Sequence, residues 1–479
     1  MYSMKSRVQY LQRLNGQAIA QRHRALSQTS RYVHQSSQRN VAVPTSPPVH
    51  AAEHLLSSPT EPQVAAQKVV LGRLPTSTVL RSYIITRMSS NPALLTLCFN
   101  ILRRMLDSKS WLLNIERNPV LSQILKKTFY AQFCVGEKKD EVVRNTDFAR
   151  SVLGYDGILF EYALEVLGGA EPTAAETAQE IETWRKGMLQ SVEMAKEDDF
   201  VGLKWSGLGR HALHLLQARQ PATPEMWSAI TAACDAAAAK GVSLLPGAEE
   251  ELTNPGLEAW TLALQKKYNK DRAVVYITYQ CYLRSINQRL AQHLATASQE
   301  GYVAGVKLVR GAYLTSEPKG LTFDTKEGTD GMYDALTSTV LKQSWSETVP
   351  GPTPDTPFPR LAIVLATHNA PSINLAKGIR ASQLSGPSTT AASLPRLTYA
   401  QLQGMADEIS QELVQDATMK KDQMAKVVKC MTWGSTSECL NFLLRRASEN
   451  KEAALRTDET RRAMGAELWR RWKSGVGLA

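Results

Sequence analysis

The run Leu443-Leu444-Arg445-Arg446-Ala447-Ser448-Glu449-Asn450 carries the densest chemical potential in this chain. Two adjacent arginines follow an apolar stretch. On a helix Glu449 lies four residues after Arg445 and three after Arg446, so it shares a face with each. A guanidinium is always charged, and its rigid donor fork matches a carboxylate. The group could therefore clamp a small carboxylate ligand. Exposed ion pairs are common and nearly neutral in energy. Alone, the stretch reads first as a solvated helix face, and only the rest of the chain can change that.

Other polar residues end apolar runs. Gly305–Leu314 reads as a strand, with Lys307 and Val309 on one face and Leu308 and Arg310 on the other. Gly311 follows, where a flat ligand could approach the backbone closely, and then Tyr313. Thr367-His368-Asn369 ends the run Leu361–Ala366. Three hydrogen-bonding side chains in a row suggest a ligand site as readily as a structural one. Ser206-Gly207-Leu208-Gly209-Arg210-His211-Ala212 has the spacing of a dinucleotide fingerprint. It lies deep within a series of repeats rather than opening one, and a tight turn between strand and helix is the better reading.

These residues need elements to hold them. From Gly154 onward, short β-rich runs alternate with long amphipathic segments. Strands are expected at 155–160, 200–206, 242–246, 273–279, 303–310, 361–366, 396–402 and 425–432. Helices are expected at 174–196, 225–240 and 281–300. Eight strands in βα alternation point to a closed (β/α)8 barrel of the TIM type, an α/β fold, with a doubly wound open sheet as the other candidate. In such a barrel, ligand chemistry collects where strands end. Lys204, Gln280, Gly311, Tyr313, Thr367, His368 and Asn369 all fall there. Residues 63–137 read as mostly helical, with apolar spacing in 93–106 and 111–129. Residues 348–359 and 376–395 read as surface insertions.

The chain has 479 residues and a net charge of +11. Seven of those charges lie before Glu53, the first acidic residue, which leaves +4 for the body. The body is nearly balanced, so the basic total does not point to nucleic acid. Residues 1–62 are Arg- and Ser-rich and acid-poor, the pattern of a mitochondrial transit peptide; a disordered basic tail has the same composition. The division expected is 1–62 for targeting, 63–150 for a helical region and 151–479 for the barrel. The six cysteines are scattered, without CxxC or neighbouring histidines, so no disulfide framework and no metal site is expected. No apolar run reaches the length of a membrane span.

Several blocks, in order, resemble the proline dehydrogenase (proline oxidase) family in its fungal mitochondrial form. They are Phe129–Glu137, Val201–Gly207, Thr278–Gln280, Lys307–Leu314, Thr329–Tyr333, Ala366–Asn369, Gln401–Glu408 and Leu443–Asn450. The resemblance implies a distorted (β/α)8 barrel that holds FAD without a dinucleotide-binding sheet. It implies oxidation of L-proline to Δ1-pyrroline-5-carboxylate, with electrons passed to ubiquinone. The place implied is the matrix side of the inner mitochondrial membrane, with peripheral contact. Arg445 and Arg446 would bind the proline carboxylate, steadied by Glu449, and Lys204 would sit near substrate and flavin. Leu308 and Tyr313 would enclose the substrate. Gln280, Lys307, Val309, Gly311, Thr367, His368 and Asn369 would line FAD.

Three departures stand out. Gly247-Ala248-Glu249 replaces an Asp-Ala-Glu found in many members, so the partner expected to steady the arginines is either missing or replaced by Glu249. Cys430 and Phe442 stand where tyrosines are usual. The smaller Cys430 leaves room for a ring hydroxyl, which raises 4-hydroxyproline as a second substrate. The absent Asp raises a catalytically inactive proline-binding barrel.

Overall fold

The computed structural model describes residues 69–166, 168–385, 394–420, 425–449 and 457–477; the side chains of 418–420, 448 and 449 also lie outside the description. The chain divides between Gln67 and Lys68, and the described fold is that of the second unit. The stretch expected to act in targeting lies outside the described residues.

The strands are β1 (Cys134–Gly136), β2 (Gly157–Tyr162), β3 (Phe200–Leu203), β4 (Ser243–Pro246), β5 (Ile277–Gln280), β6 (Ala304–Val309), β7 (Leu361–Ala366), β8 (Arg396–Leu402) and β9 (Ala425–Trp433). They pair in the order β4-β3-β2-β9-β8-β7-β6-β5, every pair parallel, with β1 added against β9. The two ends of this order meet at a parallel bridge between Leu244 and Val275. There the Leu244 N–H donates to Val274 O at 2.7 Å and the Tyr276 N–H to Leu244 O at 3.0 Å. The result is the expected α/β barrel of eight parallel strands, nearly closed. The open-sheet alternative fails because β2 pairs with β9 and the two remaining edges, β4 and the segment leading into β5, meet at that bridge.

The period-two side-chain alternation explains why these strands are apolar throughout. Leu159, Phe200, Leu245, Tyr276, Val364 and Val428 fill the barrel interior. Their neighbours Ile158, Val201, Leu244, Ile277, Ile363 and Val427 pack outward against the helices. Strands buried on both faces lose the polar alternation of a half-exposed sheet.

Three expectations shift. The regular ladder of β5 starts at Ile277, because Asn269 supplies partners before it. Its Oδ1 accepts from Val274 N and Val275 N, and its Nδ2 donates to Val275 O and Val303 O. The expected insertion at 376–395 begins inside a helix, Ala370–Leu384, capped by Asn369 and burying Ala376 completely; residues 386–393 lie outside the described residues. The helical pattern at 111–129 is interrupted by two asparagine-capped turns. Asn114 Oδ1 accepts from Glu116 N and Arg117 N, and Asn118 Oδ1 from Val120 N and Leu121 N. Such caps compete with helix continuation.

Before the barrel, helices Thr76–Ser89 and Pro92–Asp107 precede a short helix at Pro119–Leu125. Their inner faces are anchored in two places. Leu102, Met105, Ile115 and Leu125 pack on Leu440 and Leu444 of helix Thr436–Glu449. Val79 packs with Leu71, Leu74 and Met464, the last from the helix Asp458–Gly475. The N-terminal region therefore braces the helix that follows β9.

Candidate active site

Helix Thr436–Glu449 starts just after β9 and carries Phe442, Arg445 and Arg446. Because β9 lies beside β2, this helix faces the segment leaving β2, where Glu161 and Glu165 sit. Arg445 pairs with Glu165, and Arg446 Nη2 lies 3.4 Å from the same carboxylate. Lys204, at the end of β3, is 6% exposed. Its ammonium is 3.2 Å from Glu165, 3.4 Å from Glu161 and 3.6 Å from the centre of the Phe442 ring. Three cations thus surround two carboxylates at the barrel mouth.

Burial alone would raise the Glu165 carboxyl. The cations of Lys204, Arg446 and Arg445 outweigh it and hold the group below the ordinary carboxylate range. The Lys204 ammonium is buried without a well-directed hydrogen bond to another described residue. Its pairing with Glu165 and Glu161 is thus electrostatic rather than a directed hydrogen bond, and an ammonium with three N–H donors keeps capacity for a further acceptor.

A second layer fixes Arg446. Its Nη1 donates to Tyr313 Oη at 3.0 Å, and Tyr313 Oη donates to Glu249 Oε2 at 2.8 Å. Gln280 Nε2 in turn donates to the Glu249 carbonyl at 2.9 Å. Glu249 therefore reaches Arg446 through Tyr313. At Gly247 a Cβ would meet nothing within 4 Å, so the loop leaves open space there.

The interior face of β6 turns Lys307 and Val309 toward the mouth. Burial, opposed by Glu161, lowers the pKa of Lys307. Cys430, on the same inner surface, has its thiol pushed up to about 12, by burial first and by Glu161 next. Leu308 is not brought to this place. It is fully buried in the layer between barrel and helices, paired in register with Tyr279 and Leu365. A strand residue cannot face both the mouth and the helices, and Leu308 falls on the outer side of the pleat.

After β7, Arg310 organises the loop. It bonds Thr367 Oγ1, donates to Ser372 Oγ at 2.8 Å and pairs with Asp330 at 2.7 Å. Asn369 Oδ1 accepts from Ser372 N. Thr367 and Asn369 are thus occupied in shaping the turn. His368 Nε2 accepts from Leu402 N at 3.1 Å, which assigns the proton to Nδ1. Burial, then Lys429 and Arg310, push its pKa down to about 3, so the ring is neutral and its Nδ1–H is a donor. Gly311, at φ +131°, does not leave space for a flat ligand. A Cβ there would meet the Tyr282 ring at 1.2 Å, so the glycine makes room for tyrosine. The turn at 206–212 likewise offers no phosphate site. The N–H of Arg210, opening helix Arg210–Gln217, donates to Glu180 Oε2 at 2.8 Å.

The sequence alone marked neither Glu161 nor Glu165. The only signal was a pair of acids four apart closing the first apolar strand, Phe160-Glu161-Tyr162-Ala163-Leu164-Glu165. The Glu449 side chain lies outside the described residues; among those described, Glu165 is the acid that joins both arginines.

Residues 156–459 match the family described as proline dehydrogenase. The chain belongs to the proline dehydrogenase family. It is 32% identical over 259 residues to a probable mitochondrial proline dehydrogenase of Schizosaccharomyces pombe, over 52% of this chain and 50% of that one. The chain thus spans about half the length of that relative. Proline dehydrogenase 1 of Arabidopsis thaliana, also named mitochondrial, is 26% identical over 90% of each chain. The solved proline utilization A of Bdellovibrio bacteriovorus, inactivated by N-propargylglycine, superposes with a TM-score of 0.57 at 17% identity. It covers 80% of this chain and 41% of its own, a likeness of fold. Family membership agrees with the barrel and with the blocks that carry Lys204, Tyr313 and the arginine pair.

Proposed function

We propose that this protein is a FAD-dependent proline dehydrogenase that oxidises L-proline to Δ1-pyrroline-5-carboxylate and passes the electrons to ubiquinone. The observation that carries the reading is the cradle at the barrel mouth: Arg445 and Arg446 converge on one buried carboxylate, with Lys204 beside it. In the free protein that carboxylate is Glu165. The substrate carboxylate has the same charge and shape and would take up the same donors.

The residues fit a flavin. Lys204 has a buried ammonium without a directed hydrogen bond among the described residues, and the Nδ1–H of His368 has no partner among them. Gln280, Lys307, Val309, Thr367, His368 and Asn369 would hold the group, which supplies the hydride acceptor when bound. The chain itself does three things. Arg445 and Arg446 hold the carboxylate end of proline and so fix the ring's orientation. Tyr313 and Glu249 hold Arg446 in place. Phe442 lies over Lys204 and excludes water from the ammonium. The mitochondrial names of the relatives support a mitochondrial place, and the acid-poor residues 1–62 support import; the matrix side of the inner membrane, in peripheral contact with it, is the place this reading gives the protein.

The visible spectrum of the purified protein tests this. A yellow protein whose absorbance bleaches on adding L-proline is expected. A colourless protein that takes up no added FAD overturns the reading. The small Cys430 side chain on the inner surface and the open space at Gly247 favour a second substrate, 4-hydroxyproline. The ratio of kcat/KM for the two substrates decides, and Cys430→Tyr is expected to shift it toward proline.

A further inference from the structure

Half of the large apolar side chains that remain exposed among the described residues lie between Leu80 and Ile124. Their arrangement is regular. Leu94, Leu97 and Ile101 form one stripe along helix Pro92–Asp107, at helical spacing. Trp111, Leu112 and Leu113 follow in the next turn, and all three are more than half exposed. Val120 and Ile124 lie exposed on helix Pro119–Leu125. The opposite faces of these same elements are buried: Leu102, Met105, Ile115 and Leu125 pack on helix Thr436–Glu449. The segment is thus apolar on both sides, and one side faces water. A patch of this kind on a folded chain marks an interaction surface.

Charge names the partner. Residues 76–133 carry eight basic side chains against two acidic ones, Asp107 and Glu116. Residues 134–479 carry a net charge of −2. The positive charge of the folded unit is therefore concentrated on the apolar segment. Arg103, Arg104, Lys109, Arg117 and Lys127 are exposed. Two copies meeting through this face would bring like charges together. An anionic surface would be attracted, and only a lipid bilayer also accepts a broad spread of leucine, isoleucine and tryptophan. No helix among the described residues is long and apolar enough to cross a membrane, so the contact lies along the surface.

We propose that the face formed by helix Pro92–Asp107 and residues 111–124 docks on an anionic phospholipid bilayer. The leucines and Trp111 enter the headgroup boundary, and the arginines and lysines bind lipid phosphates. This deepens the peripheral membrane contact of the function proposed above and rests on it. It gives that contact a purpose. One helix thickness, about 10 Å, separates the docked face from the helix bearing Arg445 and Arg446. The mouth of the barrel would stand beside the bilayer, where a lipid-soluble electron acceptor resides.

The test compares the full chain with Leu97→Glu/Ile101→Glu by sedimentation with vesicles of phosphatidylcholine alone or mixed with cardiolipin. The unmodified chain is expected to bind only the cardiolipin vesicles, and more weakly as salt rises. The double variant should bind at least about tenfold more weakly, since each buried leucine-sized side chain is worth roughly that factor. Neither residue touches the barrel mouth, so proline-dependent reduction of a soluble dye should be unchanged. Loss of dye reduction in the unmodified chain would count against the activity and leave vesicle binding to be judged separately. Equal vesicle binding by parent and variant would overturn the docking face and place any affinity elsewhere, including the basic residues 1–68. A dimer seen without lipid and broken by the double variant would overturn it in favour of a second copy.

Discussion

At the scale of single residues, the site is an electrostatic balance around Glu165. Arg445 contributes one arm of a carboxylate clamp, and a hydrogen bond to a charged group is worth about 1.5–3 kcal/mol. Arg445→Met should therefore raise the KM for proline about tenfold to a hundredfold, while the flavin spectrum persists. Loss of the flavin instead would show the arginine to be structural. A second residue-scale effect lies outside the site. His293 Nδ1 is 3.0 Å from Tyr279 Oη, and burial, then Arg289, push its pKa from 6.5 down to about 4. Between those values the unfolded chain binds a proton that the folded chain refuses, so stability falls as pH drops through that window. His293→Gln keeps a hydrogen-bonding partner for Tyr279 and removes the titration. The loss of urea midpoint between about pH 7 and about pH 5 should shrink in the variant. An unchanged loss would assign it to other groups, among them His368, which has the same sign.

At the scale of elements, positions along the chain become positions around a ring. The order β2, β9, β8 puts the segment after the first barrel strand opposite the helix after the last. Helix packing holds that ring in register, and some contacts leave no room for a side chain. In helix Asn254–Tyr268, a Cβ at Gly256 would lie 2.2 Å from the Leu216 carbonyl oxygen of the neighbouring helix. Alanine gains about 1 kcal/mol of helix propensity over glycine, whereas overpacking costs about 1–3 kcal/mol. The opposing atom is backbone and cannot swing aside, so the clash wins. Gly256→Ala should lower stability by about 1–2 kcal/mol, read from denaturant unfolding. A stabilised variant would mean that the two helices separate without cost. Element identity was legible in the apolar runs and their spacing, because a strand buried on both faces has few other readings. Element ends were not, where a side chain such as Asn269 or Asn118 replaced a backbone partner.

At the scale of the whole molecule, the N-terminal helices and the barrel share one seam. Leu440, fully buried, packs with Leu102, Met105 and Leu125 beneath the arginine-bearing helix. Leu440→Ala should cost about 2–5 kcal/mol. Hydrogen exchange across 92–125 should quicken, and the KM for proline should rise as the helix loosens. Unchanged exchange there would mean that the extension is held elsewhere, for instance by the contacts of Met464.

The amino-acid order alone determined the barrel, the eight strands within a few residues, the family blocks and the arginine pair. Local spacing and apolar runs carry that information, since each strand and helix must bury its own pattern. Tertiary structure decided who partners whom. Glu165 meets Arg445 and Arg446 across 280 residues only because the barrel closes β9 against β2, and closure is not a local property. The pleat decided that Leu308 faces the helices while Lys307 faces the mouth. The ring of Tyr282 decided what Gly311 is for. In each case the deciding force is packing between segments remote in sequence, which no window of residues contains.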